Sequence, residues 1–212
     1  MASDDILAQP RVYSLFPTPV LHTQKALEAE ELTNIASYLL QLRNLQQSTS
    51  MSNSGGWHSN GNLFGGQHPT FPSLHRAISR ATGTYVAQTF GFSGNIPLSV
   101  EAWGVINQPS KDFNTPHNHG SFLLSGVLYV SIPDDMLGGE LVFQDPRFNL
   151  NAYNTDSMID LKISPPWHRN IYLIKPVSGD IVIFPAWLYH WVNSFSSSNS
   201  GALRIVVSFN IG

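Results

Sequence analysis

The second half of the chain consists of short strand-forming runs with no helical pattern between them. From residue 98 onward, segments rich in Val, Ile, Leu, Phe and Tyr alternate with segments containing Gly, Pro, Asn and Asp. Parallel strands are joined by crossover connections, usually helices, and none is visible here. The pattern therefore favours an antiparallel sandwich or jelly-roll barrel. Strands are predicted at 98–107, 122–132, 140–144, 171–175, 180–184, 189–193 and 203–211, with a tight hairpin at 177–180 (VSGD).

Two amphipathic helices precede these strands. Apolar residues at helical spacing predict one helix over 27–45 and a second from Pro72 to Gly91. The segment 46–66, rich in Ser, Asn and Gly, predicts an irregular loop, and residues 12–21, with two prolines, predict an edge strand. We expect a mainly β fold with N-terminal helices in one domain, with a helical support and loop region at 1–95 and a β core at 96–212.

Charge and hydropathy narrow the classes of partner. The formal charge is −3, and no basic stripe of the kind that neutralises a phosphate backbone is present, which argues against a nucleic-acid partner. No apolar run approaches the roughly 18 residues that cross a bilayer, and the first ten residues are polar and acidic. We expect a soluble, cytoplasmic protein without signal peptide or membrane contact. A homodimer is compatible with these features.

The residue types available for metal binding are restricted. The chain has no cysteine, so thiolate metal sites, disulfides and a cysteine nucleophile are excluded. It has eight histidines. Any transition metal must therefore bind nitrogen and oxygen ligands, among which imidazole is the strongest.

Three of the histidines have a spacing that suits a common site. His117 and His119 are two residues apart, and in an extended segment such residues project from the same face. His190 follows the apolar run GDIVIFPAWLY, and a barrel would bring this distant strand beside the first pair. Three convergent imidazoles would form a metal site with open coordination positions. The remaining histidines are assigned structural roles: His22, His58, His68, His75 and His168.

Several motifs around these histidines occur in a recognisable order. They are WGVIN from Trp103, HNHGSFLLSGVLYV, FQDPR, GDIVIFPAWLYH and RIVVSFN, together with GGW at 55–57. In this order the chain resembles the iron(II)- and 2-oxoglutarate-dependent oxygenases. More narrowly, it is similar to a branch of uncharacterised oxygenases from bacteria and their phages with an HxH…H pattern. The matches extend over about half of the chain.

The resemblance implies a fold and a set of site residues. The core would be a double-stranded β-helix, the cupin-like form of the jelly roll. His117, His119 and His190 would bind Fe(II), and Arg204 would bind the far carboxylate of 2-oxoglutarate. Arginine suits this position because its planar, permanently charged fork matches a carboxylate. Asn107 and Tyr129 are further candidates for contact with the cosubstrate.

One position departs from the superfamily pattern. Most members use a carboxylate where this chain has His119. Either the centre has three histidines, or another group completes the ligand set, with Asp145 of FQDPR as the leading carboxylate. The alternative for Asp145 is a structural pair with Arg147. Trp57 is a candidate for substrate contact at the mouth of the site, because a large aromatic side chain in a flexible loop can close over a pocket.

The favoured function is a dioxygenase that couples decarboxylation of 2-oxoglutarate, with release of succinate and CO2, to hydroxylation of a substrate C–H bond. A three-histidine dioxygenase that needs no cosubstrate is one alternative. A jelly-roll module with a binding or structural role and no turnover is another, because fold alone does not determine activity. The expected partner is a small molecule or a peptide of unknown identity.

Overall fold

The computed structural model describes residues 15–92, 94, 97–147 and 170–212. Two helices lie in the first half of the chain, α1 (Ala29–Leu45) and α2 (Phe71–Phe90). The strands of the first half are β1 (Leu21–Thr23), β2 (Asn53–Ser54) and β3 (Trp57–His58). Those of the second half are β4 (Val100–Asn107), β5 (Phe113–His117), β6 (Leu124–Ser131), β7 (Leu137–Gly138), β8 (Leu141–Gln144), β9 (Ile171–Ile174), β10 (Ile181–Pro185), β11 (His190–Val192), β12 (Phe195–Ser196) and β13 (Arg204–Ile211).

Two antiparallel sheets form the β core. The larger sheet has the order β1-β10-β6-β13-β4-β3, and the smaller has the order β2-β5-β11-β8-β9. One apolar cluster contains residues of both sheets, such as Val105 and Val206 from the larger and Leu141 and Phe143 from the smaller. The sheets therefore pack face to face, as the jelly-roll prediction requires. The predicted fold class, mainly β with N-terminal helices and a jelly-roll core, is confirmed.

Strand β13 shows how the sequence separates the two faces of the larger sheet. It lies between β4 and β6 and pairs with both along its length. Alternate side chains of a strand point to opposite faces. One set packs with the helices: Ile205, Val207, Phe209 and Ile211. The other set lines the space between the sheets: Arg204, Val206, Ser208 and Asn210.

The helices cover the outer face of the larger sheet. Ile35 and Leu39 of α1 and Leu74 and Ile78 of α2 are almost fully buried in the cluster on this side. Glu28 and Glu31 form a capping box at the start of α1. This layer closes one side of the larger sheet and leaves the space between the sheets as the place for a site. No helix of the described residues is long and apolar enough to cross a membrane.

The predicted hairpin at 177–180 is wrong. A turn is present, with the Asp180 amide donating to the Val177 carbonyl at 3.1 Å and Gly179 at φ +89°. It joins β9 to β10, however, and these strands belong to different sheets. Turn residues report local backbone geometry, so they do not distinguish a hairpin from a passage between sheets.

Other differences from the sequence predictions are smaller. The segment 46–66 contains the short strands β2 and β3 within its irregular backbone. The edge strand expected over 12–21 is observed as β1 at Leu21–Thr23, and residues 12–14 lie outside the described residues. Strand β5 was not predicted as a separate element.

Candidate metal centre

Three histidine side chains converge between the two sheets. His117 at the end of β5 and His190 at the start of β11 are direct partners across the smaller sheet. His119 lies two residues beyond β5, and its backbone amide donates to the Ala186 carbonyl at 2.8 Å. One ring nitrogen from each histidine lies within 4.8 Å of the others. The sequence spacing and the sheet register thus place three imidazoles around one point.

Backbone hydrogen bonds set the orientation of two of these rings. Nδ1 of His117 contacts the Thr115 carbonyl at 2.7 Å, and Nδ1 of His190 contacts the Leu188 carbonyl at 2.8 Å. A carbonyl only accepts, so the proton lies on Nδ1 in both rings and the lone pair lies on Nε2. This is the tautomer that binds a metal through Nε2.

Burial keeps the three imidazoles neutral at pH 7. Desolvation lowers the pKa of His117. Desolvation, with the neighbouring His117 as a smaller cause, lowers the pKa of His119 to about 4 and that of His190 to about 3. Phe184 packs against the His190 ring at a centroid distance of 4.7 Å and contributes to its dry surroundings. Neutral rings need lose no proton to bind a metal.

A cavity of about 700 Å³ between the sheets gives access to the histidines. Its lining also includes Trp103, whose ring lies 6.0 Å from that of His119 and is stacked with His58 at 5.7 Å. Glu101 and Arg204 are the formally charged side chains among the described residues that line it. The space is sufficient for a metal, a small anion and part of a further molecule.

Arg204 is buried in this cavity, and no described residue gives it a carboxylate partner. Its side chain is 2% exposed, and no carboxylate among the described residues lies within ion-pair distance. Its Nε has no hydrogen-bond partner, and its guanidinium carbon lies 5.5 Å from the centre of the Tyr129 ring. Desolvation lowers the pKa of Arg204. A buried cation without a counter-ion is costly, so the geometry suits an anionic ligand.

Two neighbours of Arg204 also have buried polar atoms without partners. Asn107 is the register partner of Arg204 on β4, and neither Nδ2 nor Oδ1 of its amide is bonded. The Tyr129 hydroxyl likewise has no partner at hydrogen-bond distance and angle; desolvation, partly offset by the nearby Arg204, raises the pKa of Tyr129 to about 12, so it remains a donor. Tyr129 lines the cavity with Arg204, whereas Asn107 does not. Unsatisfied buried groups are rare in folded proteins, and their concentration here indicates a binding site.

Comparison with protein families identifies the family of the chain. Residues 101–210 match the family described as "Putative 2OG-Fe(II) oxygenase". The chain belongs to the 2OG-Fe(II) oxygenase family. This match covers more than half of the chain and includes the three histidines and Arg204. Fe(II) is therefore the metal of this oxygenase and 2-oxoglutarate its cosubstrate, and the neutral histidines and the unpaired arginine fit both.

Solved structures share the fold at low sequence identity. The oxygenase is similar to a prolyl-4-hydroxylase from Pseudomonas putida, with 14% identity, a TM-score of 0.61 and coverage of 91% of both chains. It is similar to HygX from Streptomyces hygroscopicus, whose structure contains nickel and 2-oxoglutarate, with 16% identity, a TM-score of 0.58 and coverage of 92% of this chain and 83% of that one. A search of curated proteins found no match.

Asp145 is not part of the group of three histidines and is paired with Arg147. Its carboxylate accepts hydrogen bonds from the backbone amide of Arg147 at 2.9 Å and from the Arg147 guanidinium. The guanidinium of Arg147 lowers the pKa of Asp145. This is the structural pairing that the sequence left open as the alternative to a ligand role. Among the described residues, the group with metal-binding geometry consists of His117, His119 and His190.

The expectation that Trp57 contacts substrate requires correction. Trp57 is 5% exposed, packs in the cluster between the larger sheet and the helices, and donates from Nε1 to the Gln46 carbonyl at 3.1 Å. Because β3 pairs with β4, Trp57 and His58 point to opposite faces, and it is His58 that lines the cavity.

Trp57 is expected to affect stability and not binding. Replacing it with alanine removes a buried indole and should lower the free energy of unfolding by about 3–5 kcal/mol. Urea unfolding measures this loss, and calorimetry should give an unchanged 2-oxoglutarate affinity at a temperature where the variant is folded. Trp57→Phe should lie between the two proteins in stability. A weaker 2-oxoglutarate affinity in Trp57→Phe would show that Trp57 does contribute to binding.

The other histidines have different surroundings. His22 Nε2 lies 2.7 Å from the buried Asp180 carboxylate, and His68 contacts the Thr70 hydroxyl at 2.9 Å. His75 is exposed on α2. His168 lies outside the described residues. Of the four described histidines in this group, His58 lines the cavity, which the alternation in β3 would have indicated if that strand had been predicted.

The metal-free oxygenase is expected to lose stability as the pH falls below about 6.5. An unfolded histidine titrates near 6.5, whereas the folded values of His119 and His190 are lowered to about 4 and about 3. Between these pKa values the unfolded chain binds protons that the folded chain does not. Each group therefore lowers the free energy of unfolding by up to about 1.4 kcal/mol per pH unit, less for the half-buried His119 because solvent screens it.

Urea unfolding at about pH 7, 6 and 5 measures this slope. The stabilising contribution is fully present above pH 6.5 and is lost as the pH approaches the folded pKa values. His190→Gln should make the slope shallower, since it removes the most strongly shifted group. An identical slope in the variant and the parent would contradict the assignment.

Proposed function

We propose that this oxygenase couples the oxidation of 2-oxoglutarate to hydroxylation of a C–H bond in a small molecule or a peptide. The balanced reaction converts 2-oxoglutarate, O2 and R–H to succinate, CO2 and R–OH. One oxygen atom enters succinate and the other enters the product. Family membership supports the cosubstrate, and the observation that most strongly supports its place is the unpaired, buried Arg204 in the same cavity as the three histidines.

The three histidines would hold Fe(II) as neutral donors. His117 and His190 present Nε2 because backbone carbonyls occupy Nδ1, and His119 completes the face. When bound, Fe(II) supplies the redox chemistry with O2 that the protein side chains lack. Ligands on one face leave other positions open for a chelating cosubstrate. Three neutral ligands leave the metal charge of +2 uncompensated, which favours binding of an anion.

Arg204 would hold the far carboxylate of 2-oxoglutarate. A guanidinium can donate two parallel hydrogen bonds to one carboxylate, and the dry interior strengthens this pair. The unbonded Tyr129 hydroxyl lines the same cavity and would donate to a cosubstrate oxygen. Asn107 does not line the cavity, so its amide would act by contacting and orienting its register partner Arg204.

The outer part of the cavity would orient the substrate. Trp103 and His58 form an aromatic wall next to His119, and Phe122 adds a further ring to the lining. Glu101 is the one carboxylate of the described lining, and no lysine is present there. This surface suits an uncharged or cationic group better than a polyanion. The similarity to prolyl hydroxylases and to HygX supports a peptide or a small molecule as the class of substrate.

The experiment that tests this proposal follows succinate. Purified protein is loaded with Fe(II) without oxygen, mixed with 2-oxoglutarate and exposed to O2, and succinate is measured with and without candidate peptides and small molecules. We expect slow succinate release alone and faster release with a substrate. A protein that binds Fe(II) but not 2-oxoglutarate would instead be a dioxygenase without cosubstrate, and one that binds neither would be a binding module.

Asp145→Asn is expected to leave the metal site intact. The substitution weakens the pair with Arg147 but removes no group of the histidine cluster. The affinity for Mn²⁺, used as a stand-in for Fe(II), should therefore change by less than about threefold, which is under 1 kcal/mol. Titration calorimetry measures this affinity. A loss of tenfold or more would make Asp145 a ligand and leave His119 with another role.

A further inference from the structure

The third histidine differs from the other two in what contacts its Nδ1. His117 and His190 each have a backbone carbonyl two residues earlier in the chain at this atom. Nδ1 of His119 instead faces the side-chain amide of Asn210, with Nδ2 at a long distance of 3.4 Å. A backbone carbonyl can only accept, whereas a side-chain amide can accept or donate according to its orientation. The tautomer that suits His119 therefore depends on the orientation of the Asn210 amide.

A second contact engages the oxygen of the Asn210 amide. The Ser125 hydroxyl donates to Asn210 Oδ1 at 2.7 Å, and the two residues are register partners on β6 and β13. Both are buried, at 2% and 5% exposure, and both line the cavity. In this orientation the Asn210 amide group donates to His119 Nδ1, so the His119 proton lies on Nε2. A protonated Nε2 has no lone pair for a metal.

We propose that Asn210 is a two-position switch for the third metal ligand, in which its amide rotates by 180° when the metal binds His119. This inference rests on the proposed function through the role of His119 as a ligand. His119 loses its Nε2 proton to solvent and takes one up at Nδ1, so the ring stays neutral; after the rotation, Oδ1 accepts from His119 Nδ1–H and Nδ2 donates to the Ser125 hydroxyl. Both hydrogen bonds are kept, because the amide oxygen and nitrogen exchange places in nearly the same volume. Asn210 is thus a positioning residue that acts through His119.

Substitutions at position 210 separate this role from simple packing. Asn210→Asp provides only acceptors at pH 8, so Ser125 and His119 Nδ1–H can both donate to it without rotation. Outer-shell partners of this kind change metal affinity by about 10–100-fold. We expect Asn210→Asp to bind Mn²⁺ about tenfold more tightly than the parent. Asn210→Leu leaves Nδ1–H of the bound histidine without an acceptor, and we expect about tenfold weaker binding.

The first measurement needs no metal. Nitrogen-15 NMR of metal-free protein at pH 8 reports the protonated nitrogen of His119, with His119→Gln identifying its signals. We expect Nε2–H in the parent and Nδ1–H in Asn210→Asp. A purely structural role for Asn210 would alter stability without moving this proton.

The second measurement is titration with Mn²⁺ alone, with thermal unfolding of each variant to confirm that it is folded. The matched control is Asn193→Leu, because the Asn193 amide is also bonded at both ends, accepting from Trp191 Nε1 and donating to Glu140, each at 3.1 Å, but does not line the cavity. It should leave Mn²⁺ affinity unchanged. The proposal is overturned if the metal-free parent already has the proton on Nδ1, or if Asp and Leu at position 210 weaken binding equally. A parent that binds no Mn²⁺ would refute the proposed function, while NMR would still decide the orientation of Asn210.

Discussion

Replacing Arg204 with methionine is expected to stabilise the free oxygenase and to remove most of its affinity for 2-oxoglutarate. The guanidinium is buried without a carboxylate partner among the described residues, and desolvation lowers the pKa of Arg204. Methionine has a similar length and no charge. Replacing buried charges with apolar side chains commonly stabilises a protein by about 1–4 kcal/mol. We expect a gain in this range, measured by urea unfolding without metal or cosubstrate.

The affinity for 2-oxoglutarate is expected to fall in Arg204→Met, whereas the stability is expected to rise. Loss of one partner from a buried, hydrogen-bonded charge pair costs about 2–5 kcal/mol. We therefore expect 2-oxoglutarate to bind Mn²⁺-loaded Arg204→Met at least about 30-fold more weakly than it binds the parent. The Mn²⁺ affinity itself should be retained, since Arg204 is not part of the histidine cluster.

An exposed arginine provides the matched control. Arg76 on α2 pairs with Glu31 on α1 at 2.7 Å, and its side chain is 64% exposed. Arg76→Met should change stability by less than about 1 kcal/mol and leave cosubstrate affinity unchanged. If ligand-free Arg204→Met were less stable than the parent, the Arg204 charge would already be stabilised in the ligand-free parent. An unchanged 2-oxoglutarate affinity would assign the cosubstrate to another group.

Arg204 is expected to lower stability and to raise 2-oxoglutarate affinity. This combination explains why the sequence alone indicated Arg204 as a binding residue. A charged residue within the apolar run LRIVVSF is costly to the fold, so a binding role is the natural reason for its presence. The long strands were predicted within one or two residues for the same physical reason. Their alternate side chains are buried on both faces, by the helices on one side and by the smaller sheet on the other.

Strand β5 gave no such signal, although it positions the metal site. Its sequence, FNTPH, contains a proline and three polar residues, and none of its side chains is fully buried. The strand is held by backbone pairing with β2 and β11, which hydrophobic periodicity does not report. The His117–His190 register was therefore visible only in the structure, even though the convergence of the histidines was expected.

Ser125 and Asn210 show a second limit of the sequence. Each is a polar residue within an apolar run, and each is buried. Such residues indicate an interior hydrogen bond, but the sequence does not say with which partner. Pairing of β6 with β13 places them side by side, and the turn after β5 brings His119 to Asn210. The expectation that Trp57 contacts substrate missed its position for a related reason. The face of the larger sheet on which its side chain lies depends on how the two-residue strand β3 pairs.

His190→Ala is expected to abolish metal-dependent turnover. His190 is the most buried of the three histidines, and its ring nitrogen Nε2 is fixed towards the other two by the Leu188 carbonyl. Alanine leaves two of the three imidazoles. Loss of outer-shell partners alone costs up to about 100-fold in metal affinity, so loss of a direct ligand should cost at least that factor. Calorimetry with Mn²⁺ and the succinate assay measure the two effects.

The variant also tests whether cosubstrate binding depends on the metal. Arg204 is unchanged in His190→Ala, so any remaining 2-oxoglutarate affinity is the part that the arginine supplies without chelation. We expect this remaining affinity to be much weaker than that of the Mn²⁺-loaded parent, because the attraction of the metal charge and chelation by the metal are lost. His75→Ala, on the exposed face of α2, serves as the control and should keep both affinities. Undiminished Mn²⁺ binding in His190→Ala would show that the three histidines do not hold the metal together, and the site would have to be sought elsewhere in the fold.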